Sequence, residues 1–334
     1  MTPGGVEATL RPALLGTRGD VRRDGEAVKQ SIGMSVRLEM LQVARLAPQL
    51  LGDSTGLVRD FLLRQHNPDG GFRDRDGRSD LYYTVFGLEG LLALQIPLPT
   101  AAVKSYLDSF GDGTGLDFVH LCCLARGRAA LRIAPAENPA WQTVMAERLE
   151  RFRSADGGYH VQPGSKAGTS YGNFMAAAAF QDLERAPPEP RQLHASMTAL
   201  ATPDGAWSNE RGLPTGATNA TAAAITLLRQ IGQPIDPRAG DWLLACWHPQ
   251  GGFRATPAAP LPDLLSTATA LHALAGLEKS FAPQQEACLN FVDTLWSNEG
   301  GFHGHWGDDF LDVEYTYYGL LALGHLSLST VQGP

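Results

Sequence analysis

Three aspartates near the C-terminus have the spacing that most directly suggests chemistry. Asp308, Asp309 and Asp312 form the pattern DDxxD. On a helix, this spacing places carboxylates one turn apart, where they can share a Mg²⁺ ion that bridges a diphosphate. We therefore predict that these residues are catalytic and bind Mg²⁺. The alternative is a structural role, because an aspartate such as Asp312, placed before an apolar run, is an ordinary helix cap.

A second candidate metal set occurs on one predicted helix. Asp117, His120 and Cys123 stand at positions i, i+3 and i+6 and could point together into the molecule. A capping aspartate, a packed histidine and a core cysteine explain the same residues more simply. The four cysteines show neither zinc-ribbon spacing nor a disulfide framework, which favours a reducing, cytoplasmic location.

The composition excludes several classes of function. The chain has 334 residues, 43% of them hydrophobic, and a net charge of −8. A negative chain of this kind is not expected to bind nucleic acid or an anionic membrane surface. No apolar run is long enough for a transmembrane segment or has the form of a signal peptide. We therefore expect a globular protein with a large core.

A glycine-containing turn recurs along the chain and must position these residues. After three copies, a threonine follows the final aromatic residue by fourteen positions (Thr221, Thr267 and Thr316), and Thr84 follows Phe72 by twelve. A degraded copy, GDGTGLDF, spans residues 111–118. The five clear copies are NPDGGF (67–72), SADGGY (154–159), TPDGAW (202–207), HPQGGF (248–253) and SNEGGF (297–302).

Helical segments alternate around these turns. A more polar segment leads into each turn, at about 55–66, 99–110, 140–153, 190–201, 237–247 and 283–296. A more apolar segment leaves each turn, at about 80–94, 116–132, 169–183, 217–231, 264–277 and 312–327. Helices that are apolar on all sides are buried all round.

Two sets of six helices, one fully and one half buried, predict an all-α fold, an α/α toroid with six inner and six outer helices. A superhelical array of the HEAT kind is the alternative. We predict a toroid domain at residues 55–330. Residues 1–54 are predicted to hold a loose N-terminal arm, to about residue 30, and one extra amphipathic helix at residues 34–51.

The xDGGF turns, each followed by a loop and a D-x-x-x-T helix, resemble the prenyltransferase and squalene-cyclase superfamily. The segments SADGGYHVQPGS and PDLLSTATALHAL are most similar to β subunits of protein prenyltransferases, and the resemblance covers roughly residues 55–327. It implies a toroid that binds a prenyl diphosphate in a central pocket. It also implies a separate helical-repeat α subunit as partner, although a homodimer or a monomer stays open.

The zinc ligands of that family are not all retained. The resemblance places its aspartate, cysteine and histidine ligands at Asp263, Leu265 and Tyr315. Leucine cannot coordinate a metal, so zinc is not expected as a cofactor. Asp263 and Tyr315 are kept as candidate catalytic residues that orient an acceptor. A register shifted by one repeat fits less well, at Gly216, Thr218 and Ser266, and the family's diphosphate-binding histidine falls on Ala217 or, after the shift, on Gly168.

The turns should gather the N-termini of the inner helices at one mouth, where helix dipoles and free N–H groups favour an anion. Basic residues in the turns are predicted to form a rim there: Arg73, Arg75, Arg78, Lys166, Arg211 and Arg254. Aromatic residues are predicted to line the pocket below and to contact an isoprenoid chain: Tyr82, Phe86, Tyr171, Phe174, Tyr315 and Tyr318.

Three functions follow from these expectations. The first is a prenyltransferase-like enzyme that transfers a prenyl group from a diphosphate without the usual zinc. The second is a terpene cyclase or synthase that uses DDxxD and Mg²⁺ in the manner of class I isoprenoid synthases. The third is a toroid without catalytic activity that binds a lipid or a protein.

Overall fold

The computed structural model describes residues 34–133 and 138–330, and these ranges are predominantly helical. The predicted arm at residues 1 to about 30 lies outside the described residues. Two N-terminal helices are α1 Val36–Ala44 and α2 Pro48–Leu51. The outer helices are α3 Thr55–Arg64, α5 Thr100–Asp108, α7 Pro139–Glu150, α9 Pro190–Thr198, α11 Arg238–Ala245 and α13 Gln285–Thr294. The inner helices are α4 Leu81–Ala93, α6 Phe118–Ala130, α8 Ser170–Asp182, α10 Thr218–Gln230, α12 Leu264–Gly276 and α14 Val313–Thr330.

The inner helices form a closed ring. Each packs against the next, from α4 through α6, α8, α10 and α12 to α14, and α14 packs against α4. The outer helices pack on the outside of this ring. The predicted α/α toroid is confirmed. The HEAT-like alternative is wrong, because a superhelical array does not bring its last helix back to its first.

Two short hairpins lead into inner helices. β1 (Phe72–Arg73) pairs antiparallel with β2 (Ser79–Asp80), and β3 (Phe253–Arg254) pairs in the same way with β4 (Pro262–Asp263). The register places the turn aromatic opposite the aspartate that caps the following helix, as in the pair Phe253 and Asp263. Each hairpin therefore fixes where its inner helix begins.

The recurring threonine hydrogen-bonds the turn. Thr267 Oγ1 accepts from the N–H of Phe253 at 2.9 Å and donates to the carbonyl of Asp263 at 2.7 Å. A buried backbone N–H needs such a partner, which explains why a threonine recurs twelve or fourteen positions after the turn aromatic. Equivalent N–H bonds join Phe72 to Thr84 (2.9 Å), Trp207 to Thr221 (3.0 Å), Phe302 to Thr316 (3.4 Å) and Tyr159 to Asn173 Oδ1 (2.7 Å).

Glycines allow each turn to dock on the next outer helix. Gly251 has φ +96°, and a Cβ there would lie 1.9 Å from the carbonyl oxygen of Ala287 in α13. Gly300 has φ +95°, and its Cβ would lie 2.1 Å from the carbonyl oxygen of Leu57 in α3. Neither the dihedral angle nor the distance admits a side chain. Since α3 belongs to the first helix pair, the contact at Gly300 closes the ring.

Helix α1 closes one end of the ring. It packs against α4, α8 and α14, and Arg37 lies 3.4 Å from Glu89 and 3.5 Å from Asp182, near the C-terminal ends of α4 and α8. Glu39 pairs with Arg229 at the end of α10. The predicted helix over residues 34–51 is therefore divided in two, and Pro48, which has no N–H to continue a helix, opens α2. In the described ranges, no helix has the length and apolarity needed to cross a bilayer.

Candidate functional site

A cavity of about 290 Å³ lies inside the inner ring. All six inner helices contribute to its lining, and Met40 of α1 contributes from the closed end. Five aromatic residues predicted to contact substrate line it together: Tyr82, Phe86, Tyr171, Phe174 and Tyr318. Tyr317, which the sequence analysis did not single out, lines it as well, whereas Tyr315 does not.

The aromatic rings form a continuous wall on the α4 and α14 side of the cavity. The ring centroids of Tyr82 and Phe86 are 4.9 Å apart in an edge-to-face arrangement. Those of Phe86 and Tyr318 are 5.5 Å apart. Aromatic faces carry partial negative charge, so such a wall suits both an apolar chain and a cationic intermediate.

Glu314 is the acid that stands behind this wall. The hydroxyl of Tyr82 lies 2.6 Å from Glu314 Oε1. Burial raises the pKa of Glu314 to about 7, and the negative charge of Asp312 contributes to the rise. Glu314 Oε2 has no hydrogen bond to any described residue. A carboxyl group that is neutral near pH 7 can give up a proton, so this pair could act as an acid. An acidic residue within the apolar run VEYTYYGLL was the available sequence signal.

The DDxxD residues lie in the loop before α14, not on a helix, so the helical premise of the Mg²⁺ prediction is wrong. Arg75 Nη2 donates to Asp308 Oδ2 at 3.1 Å, and Arg75 Nε donates to Asp312 Oδ2 at 2.9 Å. Asp309 is exposed. Asp312 Oδ1 accepts from the N–H of Tyr315 at 2.8 Å, which confirms the capping alternative for Asp312. Two of the three carboxylates are thus held by an arginine.

No cluster of three or more His, Cys, Asp or Glu side chains in the described residues is arranged to hold a metal ion. His120 lies 2.9 Å from Asp117 and 3.0 Å from Asp80, and its hydrogen bond to Asp80, with that to Asp117, raises the pKa of His120 to about 9. Cys123 is buried and does not join them. A charged histidine therefore links the caps of α4 and α6.

The residues predicted to form a cationic rim do not line the cavity. They are Arg73, Arg75, Arg78, Lys166, Arg211 and Arg254. Arg254 donates to the carbonyls of Ala245 (3.0 Å) and Cys246 (3.2 Å), because the C-terminus of α11 offers unpaired acceptors there. Arg75 is held by the aspartates described above, Arg211 pairs with Asp156, and Arg78 pairs with Asp76 at 2.6 Å. Lys166 is exposed.

Asp263 and Tyr315 are the other predicted catalytic residues, and the contacts of both side chains are with neighbouring residues of the fold. Asp263 caps α12, since its Oδ1 accepts from the N–H of Ser266 at 2.7 Å and its Oδ2 accepts from the Ser266 hydroxyl at 2.7 Å. The Arg75 guanidinium lies 5.6 Å from the centre of the Tyr315 ring. Leu265 lines the cavity at the position where the resemblance requires a thiolate.

A buried polar cluster lies at the closed end of the cavity. Arg126 lines the cavity, and its Nε is 3.5 Å from Glu89 Oε1. Arg37 faces the same glutamate from α1. The hydroxyl of Tyr317 is buried, and no residue in the described part of the chain accepts its proton. The sequence analysis did not identify this cluster, although Arg126 interrupts an apolar helix.

A family model described as the prenyltransferase alpha-alpha toroid domain matches residues 38–123 and 221–332, more than half of the chain. The chain belongs to this family. The resemblance inferred from the repeats is thereby confirmed. No curated protein matches the chain.

Solved structures share the family fold at low sequence identity. A variant of the type II terpene cyclase MstE from Scytonema, in complex with geranylgeranyl dihydroxybenzoate, is 15% identical with a TM-score of 0.57, over 85% of this chain and 98% of that one. Candida albicans protein geranylgeranyltransferase-I complexed with GGPP is 14% identical with a TM-score of 0.55, over 89% and 84%. A variant of a glycosidase is 11% identical with a TM-score of 0.57, over 88% and 99%. Likeness at this level shows the fold alone.

Proposed function

We propose that this protein is an enzyme that binds an isoprenoid chain in the central cavity and converts it by protonating a carbon–carbon double bond. The Tyr82–Glu314 pair carries this proposal. It combines a carboxyl group that is protonated near neutral pH with a hydroxyl on the cavity wall. The reaction belongs to the cyclase class, without the diphosphate ionisation that DDxxD suggested.

Tyr82 passes the proton to the substrate because it, and not Glu314, lines the cavity. When Glu314 is neutral, its O–H donates to the Tyr82 oxygen, and the Tyr82 O–H turns toward the cavity. The π electrons of the alkene take the Tyr82 proton and form a C–H bond, while Glu314 returns a proton to Tyr82. The Glu314 carboxylate then accepts from the Tyr82 hydroxyl at 2.6 Å.

The carbocation formed in this step lies among aromatic rings, whose faces stabilise positive charge. A second double bond of the same chain attacks the cation and closes a ring. Loss of a proton from the cyclised cation to water ends the reaction, so that substrate and product are isomers. The cavity is apolar along this wall, which protects the cation from early capture by water.

The cavity volume limits the size of the substrate. About 290 Å³ is at the low end of the roughly 300–1,000 Å³ of small-molecule pockets. We therefore propose a short isoprenoid, of geranyl or farnesyl length, as the cyclising part. Met40 of α1 contributes to the wall at the closed end and limits the depth.

Deuterium incorporation tests the proposal directly. Purified protein is incubated in D₂O with farnesol and with farnesyl diphosphate, and products are identified by mass spectrometry. Protonation introduces one carbon-bound deuterium and releases no diphosphate. Glu314→Gln and Tyr82→Phe should each lower the rate by about 10²–10⁴-fold, the usual contribution of a general acid. The wild-type rate should fall above pH about 7, where Glu314 ionises.

Tyr83→Phe is the matched control, because Tyr83 adjoins Tyr82 on α4 but does not line the cavity. It should retain the wild-type rate within about threefold. If Tyr82→Phe stays active while Glu314→Gln does not, the relay through Tyr82 is wrong. Diphosphate release without deuterium would contradict protonation altogether.

Prenyl transfer is the second candidate function, favoured by the family and by the likeness to a protein geranylgeranyltransferase. It requires an acceptor, and in the DDxxD form also Mg²⁺ at residues 308–312. The same assay tests it, since diphosphate release would then depend on the acceptor and on Mg²⁺. A partner subunit or a homodimer stays a prediction, which light scattering of the purified chain can test.

A further inference from the structure

The closed end of the cavity contains an arginine whose hydrogen-bond donors are only partly used. Arg126 faces Glu89 at 3.5 Å and interacts with the Tyr317 hydroxyl, and its side chain is only 18% exposed. Its Nε is buried and unpartnered beside Glu89. Arg126 also lines the cavity, where a ligand can reach its side chain.

Unpaired donors in such a place are costly, since a buried charged group without a hydrogen bond loses the solvation it had in water. Tyr317 adds a second donor, because its hydroxyl is buried beside Arg126, which can only donate to it, and no described residue accepts its proton. Two such donors near one end of an apolar cavity favour an acceptor supplied by the ligand.

We propose that this end of the cavity is a carboxylate-binding subsite, in which Arg126 and Tyr317 hold the anionic end of the ligand. The inference rests on the proposed function, in that it takes the apolar part of the ligand to be an isoprenoid chain. The substrate is then an isoprenoid acid that binds with its carboxylate at the closed end and its terminal double bond near Tyr82.

Two arginines and two carboxylates surround the closed end of the cavity. Arg37 and Arg126 face Glu89 together, and Arg37 also faces Asp182. Burial raises the pKa of Asp182 to about 6, although both arginines oppose this, so its negative charge is partly lost in mildly acidic solution. A guanidinium binds a carboxylate through two parallel hydrogen bonds.

Three of the cations predicted at the mouth of the cavity are already engaged, and Arg73 and Lys166, which have no ion pair within the described ranges, do not line the cavity. Arg75 and Arg211 are paired with aspartates there, and Arg254 caps a helix. An anionic ligand therefore finds available donors at the closed end, where Arg126 lies. The charged end of the ligand then lies at the closed end of the cavity, whereas a diphosphate bound by a cationic rim would lie at the mouth.

Calorimetric titration of the full chain with farnesoic acid and farnesol tests the subsite. These probes share the apolar chain and differ in the carboxylate. The acid should bind about 10- to 100-fold more tightly, the range expected for hydrogen bonds to a charged group. Arg126→Met should reduce this preference to less than about threefold by weakening the acid alone. Arg128→Met is the matched control on α6, because Arg128 pairs with Asp108 and packs over Trp141 outside the cavity.

If the acid and the alcohol bind the wild-type protein with equal affinity, the subsite proposal is wrong, while the proposal that the cavity binds an isoprenoid still holds. Arg126→Lys and Glu89→Gln/Arg126→Met are further variants if Arg126→Met does not fold, the second because it removes the partner charge as well. A preference for the acid that survives in Glu89→Gln/Arg126→Met would also overturn it, whereas Arg126→Lys should keep part of the preference because it keeps the charge. If neither isoprenoid binds, the proposed function fails. Titration with 4-phenylbutanoate, a carboxylate whose apolar part is not an isoprenoid, then tests the subsite separately. Binding of this probe, lost in Arg126→Met, supports the subsite, and no binding refutes it.

Discussion

Glu314 owes its properties to the side chains around it. Burial disfavours its charged form, and the neighbouring carboxylate of Asp312 acts in the same direction. Tyr82 and Arg75 oppose this rise without cancelling it. Asp312, two residues earlier in the chain, is instead tied to Arg75 and to the N–H of Tyr315. Two acids near the same helix start therefore differ: Asp312 caps the helix, and Glu314 has the raised pKa on which the proposed protonation depends.

The raised pKa predicts how Glu314→Gln changes stability with pH. The folded pKa is about 7 against a reference of 4.5, so the unfolded state ionises first as pH rises. The contribution of Glu314 to the free energy of unfolding of the wild-type protein is therefore fully present below pH 4.5 and is lost as the pH rises through 7. Glu314→Gln should raise the free energy of unfolding by about 1–3 kcal/mol at pH 8 and change it little at about pH 4.5. Urea unfolding at both pH values measures this.

Glu286→Gln serves as the control for that comparison, because Glu286 is exposed on α13. It should change the free energy of unfolding by less than about 0.5 kcal/mol at either pH. A stabilisation by Glu314→Gln that is the same at both pH values would show that Glu314 is not destabilised by ionisation in the folded protein.

At the scale of elements, the turns place every inner helix and α1 closes the barrel. Gly324 of α14 is a point of close approach, because a Cβ there would lie 2.1 Å from the carbonyl oxygen of Val43 in α1. Main-chain contact of this kind leaves no flexible atom to move aside. Helix α1 is therefore packed into the closed end of the ring and contributes Met40 to the cavity.

Gly324→Ala is expected to push α1 away from α14. The clash should lower the free energy of unfolding by about 1–3 kcal/mol, the usual cost of overpacking, despite the better helix propensity of alanine. Gly56→Ala, in α3, is the matched control, because its nearest neighbour would be Arg59 Nη2 at 3.9 Å. It should leave stability unchanged or raise it by up to about 1 kcal/mol. Equal thermal unfolding of the two variants would contradict the close packing of α1.

At the scale of the molecule, the ring is closed between its last and first repeats. The Gly300 turn docks on α3, Arg64 of α3 donates to the carbonyl of Glu299 at 2.7 Å, and α14 packs on α4. Each inner helix is then buried between two neighbours. A linear repeat protein can lose a terminal repeat and keep the rest folded. When a closed ring loses a repeat, the two inner helices on either side of the gap are exposed at once.

A chain ending at residue 282 tests this closure. It lacks α13 and α14 and should not unfold cooperatively in urea, because α4 and α12 lose their neighbours. A chain ending at residue 330 keeps every described helix and is the control. A sharp transition and retained near-ultraviolet circular dichroism in the shorter chain would show that the repeats are stable without closure.

The family fold by itself does not decide the chemistry. Structures of similar fold include a terpene cyclase, a protein geranylgeranyltransferase and a glycosidase. Activity therefore has to be argued from the side chains inside the ring. In this chain those are the aromatic wall, the Tyr82–Glu314 pair and the Arg126 side chain.

Part of the candidate site was predictable, for a definite reason. Aromatic residues such as Tyr82, Phe86 and Tyr318 stand at inner-helix positions, and the repeat period places inner helices around one axis. The sequence could therefore indicate that these residues line one cavity, as they do in the structure. It did not predict the partners of Arg75, because charged residues in turns can point in many directions and only packing selects one.

The sequence alone determined the repeat, the alternation of helices and the toroid, because these rest on local patterns: a glycine turn, a buried threonine twelve or fourteen positions after the turn aromatic and the apolarity of each helix. Tertiary structure decided which polar side chains meet. Arg75 meets Asp308 across 233 positions, and Tyr82 meets Glu314 across 232. Such pairs form only when the ring closes and brings its first and last inner helices together. Closure also buries Glu314, and that burial gives a glutamate the pKa of an acid that can work near neutral pH.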